Sequence, residues 1–268
     1  MKLWKSLIVA CSMYSRIPMP QIEWDEDSMK YTMCFFPFVG VCAGILEILA
    51  GWILREHTTL GNLFTAVVLA LIPVLLTGGI HLDGFADTTD ALSSYGDREK
   101  KLAILKDSHA GAFAVIGISC YILAWMGLWT EVRGQALLLC AWIFPFSRSL
   151  SGLSVVTFQA AKDSGLLRMF QDGAHRRRVK MVLCGWIAVC LAGMAATSWW
   201  IQETPDVGRA VLRTVIVAGA GILMFLYYKR TAYRQFGGTT GDLAGWFLQL
   251  GELAMLAAVV CTTPGIWR

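Results

Sequence analysis

The residues best placed to do chemistry lie in one stretch, Gly78-Gly79-Ile80-His81-Leu82-Asp83-Gly84-Phe85-Ala86-Asp87-Thr88-Thr89-Asp90. Asp83, Asp87 and Asp90 are spaced i, i+4, i+7, which on a helix stacks three carboxylates along one face. Like charges so close repel unless a cation neutralises them. Hard oxygen donors that leave room for water and phosphate oxygens suit Mg²⁺, usually held by one or two carboxylates together with substrate phosphates. A solvated acidic face doing nothing is the plain alternative. Against it stand Leu82, Phe85, Ala86 and Ala91, which make the opposite face apolar. Gly78, Gly79 and Gly84 permit close backbone approach to a ligand or a helix. His81 is either a general base or a histidine satisfied by a structural hydrogen bond.

Two further polar clusters extend this chemistry. In Lys106-Asp107-Ser108-His109-Ala110-Gly111, Lys106 can neutralise phosphate charge and Asp107 can add or orient a metal ligand; the segment also reads as an ordinary loop. In Gly237-Gly238-Thr239-Thr240-Gly241-Asp242, backbone N–H groups and hydroxyls can cradle phosphate while Asp242 binds metal. The same turn can instead be a flexible connection with Asp242 as a helix N-cap. Arg148 sits among Ser147, Ser149, Ser151 and Ser154, so it either snorkels or faces a polar cavity. Glu47 and Glu252 fall within apolar runs, as helix-packing groups or as site groups. On residue types alone, this describes a Mg²⁺-dependent enzyme working on a phosphorylated or pyrophosphate substrate.

The elements that must position these groups are membrane helices. Of 268 residues, 56% are hydrophobic and only 16% charged, against about 25% charged in soluble domains. Seven apolar runs, 33–54, 62–80, 112–130, 135–158, 180–201, 210–228 and 242–261, approach the ~20 residues that cross roughly 30 Å of hydrocarbon. Leu3–Tyr14 is too short to span and suits an interfacial helix; without a small-residue cleavage site, its removal is not expected. The fold class is therefore all-α, a polytopic helical bundle with about seven transmembrane helices. No repeat or linker divides it, so residues 1–268 read as one membrane domain with a short interfacial segment, 1–31.

Charge orients the bundle. Seventeen of the 23 Lys and Arg fall on alternate segments: before residue 31, and in the 81–111, 159–180 and 229–241 loops. Only Arg55, Arg133, Arg209, Arg213 and Arg268 mark the other side. The positive-inside rule puts the N-terminus and the acidic segment in the cytoplasm. The run from His175 to Lys180 serves as an anchor on anionic lipid, with nucleotide phosphate a secondary use. Eight cysteines without a C-x-x-C pair read as buried hydrophobes.

Taken together, these motifs resemble the cobalamin synthase family, the adenosylcobinamide-GDP ribazoletransferases. The resemblance rests on Arg16-Ile17-Pro18-Met19-Pro20, Phe36-Pro37 with Gly40, the Gly78–Asp90 string, Lys106-Asp107-Ser108 with Gly111, Ser147-Arg148, and Gly237-Gly238 with Thr240-Gly241-Asp242. One departure is Gln249, where the family often carries a glutamate one turn before Glu252. The resemblance implies a bacterial inner-membrane enzyme of late cobalamin assembly. It would join adenosylcobinamide-GDP to α-ribazole, or its 5′-phosphate, and release GMP with Mg²⁺. Asp83, Asp87, Asp90 and Asp242 would then hold the metal. Gly237, Gly238, Thr240 and Gly241 would cradle phosphate, Lys106 and Arg148 would neutralise charge, and His81 or an aspartate would take the hydroxyl proton. Association with other enzymes of the pathway, or with a second copy, is compatible with this reading; nucleic acid is not an expected partner. Rival readings are a CDP-alcohol type phosphotransferase, whose D-G-x-x-A-R start is absent here, and a multi-pass transporter, which should carry its carboxylates nearer the bilayer midplane.

Overall fold

The computed structural model describes residues 2–162, 165–202 and 204–263, and it is helical almost throughout. Arg268, one of the five cations assigned to the outer side, lies outside the described residues. Helix α1 (Lys2–Tyr14) leaves Leu3 and Trp4 exposed, as an interfacial helix should. The short α2 (Glu26–Met29) precedes α3 (Thr32–Glu56) and α4 (Asn62–Thr77). Next come α5 (Ile80–Ser93), α6 (Arg98–Ile104) and α7 (Ala112–Glu131). The run read as 135–158 is a small α8 (Ala136–Cys140) leading into α9 (Ile143–Thr157). The chain closes with α10 (Leu166–Gly173), α11 (Arg176–Trp200), α12 (Val207–Thr231), a π-helical turn at Ala232–Phe236, and α13 (Gly241–Thr262).

Six of these segments are long and apolar enough to cross a membrane. The seventh expected span, 62–80, is α4, which joins α5 in a pair bent by 93°. The bend has a local cause. Gly78 and Gly79 both adopt positive φ, +64° and +81°, a region that glycine enters without steric cost. Gly79 N–H then donates to Val74 C=O at 2.9 Å, the 6→1 bond that ends a helix in a Schellman motif.

At the centre stand α8–α9 and α13, each 78% buried across its apolar stretch, against 22% for the peripheral α7 and α11. Backbones approach closely where glycines permit it. A Cβ on Gly40 would lie 2.5 Å from the Phe144 carbonyl oxygen, which explains how tightly α3 seats on α9. Likewise a Cβ on Gly84 would lie 2.8 Å from the Asp242 carbonyl oxygen, and one on Gly245 would lie 3.0 Å from that of His81. Small residues at such crossings are the usual way for membrane helices to pack, since lipid supplies no hydrophobic drive between them.

The bundle has two distinct ends. At one end Arg178 donates to Tyr31 Oη at 2.9 Å, and Lys101 Nζ to Gln235 Oε1 at 2.5 Å. There too, Ala160 and Thr239 form an isolated parallel bridge. At the other end Arg55 donates to Val132 C=O at 2.6 Å, and buried Arg213 donates to Ser198 C=O and Thr262 C=O. Most of the described cations gather at the first end, where the acidic segment also lies.

Candidate functional site

Helix α5 delivers the carboxylates. Its buried face, with Gly84, Phe85, Thr88 and Ala91, packs on α13 and α7. That leaves Asp83 exposed and Asp87 and Asp90 half-buried along the opposite face. Asp242, in the first turn of α13, joins them: Asp83, Asp90 and Asp242 all act on Asp87 as like charges. The Asp90 carboxylate lies against Gly111, which opens α7, and a side chain at that glycine would fall on it. A side chain there would have to displace the Asp90 carboxylate, so the 106–111 cluster is packed against the acidic face.

The Gly237–Asp242 turn is held by both of its flanks. Thr239 N–H donates to Gln159 C=O at 2.8 Å, and Ala161 N–H donates to Thr239 C=O at 2.9 Å. The Thr239 hydroxyl bonds to the buried Tyr228 hydroxyl. Gly237 has φ +73°, and any side chain there would meet the Arg98 guanidinium. A Cβ on Gly238 would press 2.6 Å from the Gln159 carbonyl oxygen. These glycines answer backbone crowding first. Thr240, not Asp242, is the N-cap of α13: its hydroxyl accepts from Leu243 N–H at 3.2 Å. Asp242 is thereby free to face the site. The π-helical turn immediately before it widens the helix, a device common beside functional sites.

Asp83, His81, Thr239, Thr240, Gly241 and Asp242 line one cleft of about 310 Å³. The cleft also takes in Lys162, Arg168, Tyr14, Phe36, Ser151, Val155, Phe170 and Leu248. Lys162 and Arg168 are the two cations facing it, and their number in a basic loop gave no hint of that position. Burial and the like charge of Lys106 hold the Lys162 ammonium below its ordinary range, with Asp242 opposing. Lys106 itself is exposed beside Lys162 and does not line the cleft.

Arg148 is placed differently from the expectation that it meets the leaving phosphate. It is 1% exposed and donates to Glu252 Oε1 at 2.7 Å and to Phe144 C=O at 3.2 Å. Ser147 Oγ donates to the same carboxylate oxygen at 2.7 Å. A desolvated guanidinium needs such partners, so Arg148 is committed to the bundle core behind the cleft, and Glu252 is its counter-ion. Glu47 is buried with neither carboxyl oxygen partnered, and Gln249 is buried on α13. Asp107 turns outward: its carboxylate accepts from the His109 backbone at 3.0 Å and meets Nδ1 at 2.7 Å, bonds that hold it below the usual carboxylate range. It lies away from the cleft.

Among the described residues, no three His, Cys, Asp or Glu side chains already converge as a metal-holding group. The donors are instead a row along α5 with Asp242 across from it. An open row of carboxylates fits a cation that completes its shell with water and phosphate, and does not fit one that demands a closed protein cage.

A model of the family described as cobalamin-5-phosphate synthase matches residues 6–260. The chain is 42% identical to a protein of Lachnoclostridium phytofermentans named adenosylcobinamide-GDP ribazoletransferase, over 97% of this chain and 95% of that one. Proteins of the same name from Clostridium botulinum and Clostridium perfringens are 32% and 30% identical, each across more than nine tenths of both chains. No solved structure matches.

Proposed function

Because the chain belongs to the cobalamin-5-phosphate synthase family, we propose that it is a multi-pass membrane transferase that joins adenosylcobinamide-GDP to α-ribazole, or to α-ribazole 5′-phosphate, and releases GMP. A ribose hydroxyl of the acceptor attacks the corrinoid-side phosphorus of the pyrophosphate, and the bond to GMP breaks. The observation that carries this reading is the meeting of Asp83 and Asp242 with the Thr239–Gly241 turn and Lys162 around one cleft.

The residues divide the work. Asp83, Asp87, Asp90 and Asp242 are the oxygen donors that would hold Mg²⁺. When bound there, the ion would supply charge neutralisation and Lewis-acid polarisation of the pyrophosphate. Lys162 and Arg168 attract the phosphates and offset negative charge that builds on the departing GMP, with Lys106 adding field from the rim. The Thr240 and Gly241 backbone orients the phosphate oxygens. In phosphoryl transfer, such positioning and electrostatics supply most of the rate. An aspartate of this acidic rim accepts the proton of the attacking hydroxyl. By the positive-inside rule the cation-rich end faces the cytoplasm, and the membrane is the inner membrane of a bacterium.

Purified protein in detergent should release GMP from adenosylcobinamide-GDP only when both α-ribazole and Mg²⁺ are present, and chelation with EDTA should abolish the release. In Asp87→Asn the rate should fall by at least about a hundredfold, the usual scale for a lost catalytic electrostatic contact, with a higher Mg²⁺ requirement. Full activity of Asp87→Asn at every Mg²⁺ concentration would remove that carboxylate from the site.

A further inference from the structure

The cleft has two unlike halves. Asp83, Lys162 and the Thr239–Asp242 turn form a polar rim, while Tyr14, Phe36, Phe170, Val155 and Leu248 wall an apolar interior. The aromatic rings there are tilted against one another: Tyr14 and Phe36 have centroids 4.3 Å apart, and Tyr14 and Phe170 6.5 Å apart. His81 lies among them, 6.2 Å from Tyr14 in a stacked arrangement and 5.8 Å from Phe36 edge-on. It is 5% exposed, and its Nε2 is buried without any hydrogen-bond partner. An orphaned buried nitrogen costs free energy unless something completes it, and the side chain that carries it belongs to the cleft lining.

We propose that this interior is the seat of the acceptor's aromatic base, with His81 Nε2 as its one polar contact; the inference rests on the transferase reading above. The argument is one of size and chemistry. A cleft of about 310 Å³ lies at the low end of ligand pockets, ~300–1,000 Å³. It has room for one nucleoside and none for a corrin ring with its amide arms. Of the flat bases that the two substrates carry, only that of α-ribazole, a methylated benzimidazole, lacks the exocyclic amino and keto groups of guanine and adenine, so it alone suits apolar walls with a single polar contact. Its free ring nitrogen is an acceptor, which a proton on Nε2 satisfies. With the base among the aromatic rings, the ribose projects toward Asp83 and Lys162, so its hydroxyls meet the pyrophosphate at the rim. The corrin stays outside the mouth, and only its phosphate arm reaches in. His81 then serves as a positioning residue for the acceptor.

The test is steady-state kinetics on the full chain in detergent with Mg²⁺, varying each substrate separately. Phe170→Ala, which opens the slot, and Val155→Phe, which fills it, should each raise KM for α-ribazole by about tenfold or more, while KM for adenosylcobinamide-GDP stays unchanged. If KM for α-ribazole is unmoved in both variants, or both substrates weaken together, the base sits elsewhere. In case a variant fails to fold, equilibrium binding to the unaltered protein gives a second reading. Intrinsic fluorescence should show α-ribazole binding saturably and free 5,6-dimethylbenzimidazole competing with it. Lack of competition in a preparation that releases GMP overturns the base seat and leaves the transferase standing. A preparation that binds both compounds but never releases GMP overturns the transferase reading instead.

Discussion

Lys162 and Arg168, rather than Arg148, are the cations that face the cleft, and for Lys162 this has a pH consequence. Burial first, then Lys106, lower the pH at which Lys162 gives up its proton, and Asp242 partly restores it. If the ammonium draws in the phosphates, activity should fall on the alkaline side at a pH below that of an ordinary lysine. Lys106→Gln removes a repelling charge and should move that limb to higher pH. Lys162→Arg should push it beyond the accessible range, since guanidinium keeps its proton. Stability runs the other way: in the window between the lowered folded value and the ordinary one, the unfolded chain binds more protons, so unfolding becomes harder as pH rises. Arg148 makes a different prediction. Glu252→Leu strands a charge that is 1% exposed and should cost about 3–5 kcal/mol, whereas Arg148→Met with Glu252→Leu should recover most of that. Thermal unfolding in detergent micelles distinguishes them. If the single and double variants melt alike, the pair contributes nothing to the core.

At the scale of elements, six of the seven apolar runs correspond to α3, α7, α8–α9, α11, α12 and α13, and the seventh to α4, which reaches the length of a span only together with the bent α5. The i, i+4, i+7 aspartates do share a face of α5. Less legible was anything set by contact between distant segments. Nothing local to Lys162 or Arg168 tells them from neighbouring surface cations, and nothing local to Arg148 shows that Glu252, 104 residues away, takes its charge. The glycines of the 237–241 turn read as phosphate-binding, yet Gly238 is required by the Gln159–Ala161 backbone that runs beside it. The crossing of α5 and α13 offers the sharpest test. Gly84→Ala places a methyl group 2.8 Å from the Asp242 carbonyl oxygen and must spread the two helices. Overpacking of this kind costs about 1–3 kcal/mol. Since the same shift moves Asp83 away from Asp242, the loss of GMP release should exceed what the loss of stability explains. An alanine at Gly127, where a Cβ meets nothing within 4 Å, should leave both intact.

For the whole molecule, the placement of charge ties chemistry to orientation. Arg98, Lys101, Lys106, Lys162, Arg168 and the Arg176–Arg178 run lie at the end that carries the cleft, whereas Arg55 and Arg213 tie helix ends together at the opposite face. A potential gradient of this kind both fixes insertion and attracts a polyphosphate substrate from whichever compartment that end faces. The two effects make one prediction. In a cysteine-free background, Lys100→Cys at the cleft end and Thr58→Cys at the other are both exposed positions. Membrane-impermeant maleimide added to intact spheroplasts should label position 58 and spare position 100, and permeabilising the inner membrane should expose position 100. The cleft end would then draw on cytoplasmic nucleotide and Mg²⁺. Labelling of position 100 from outside would invert the bundle. The aspartate row and the cations beside it would then face outward, and the cytoplasmic placement of the proposed reaction would fall whatever the geometry of the site.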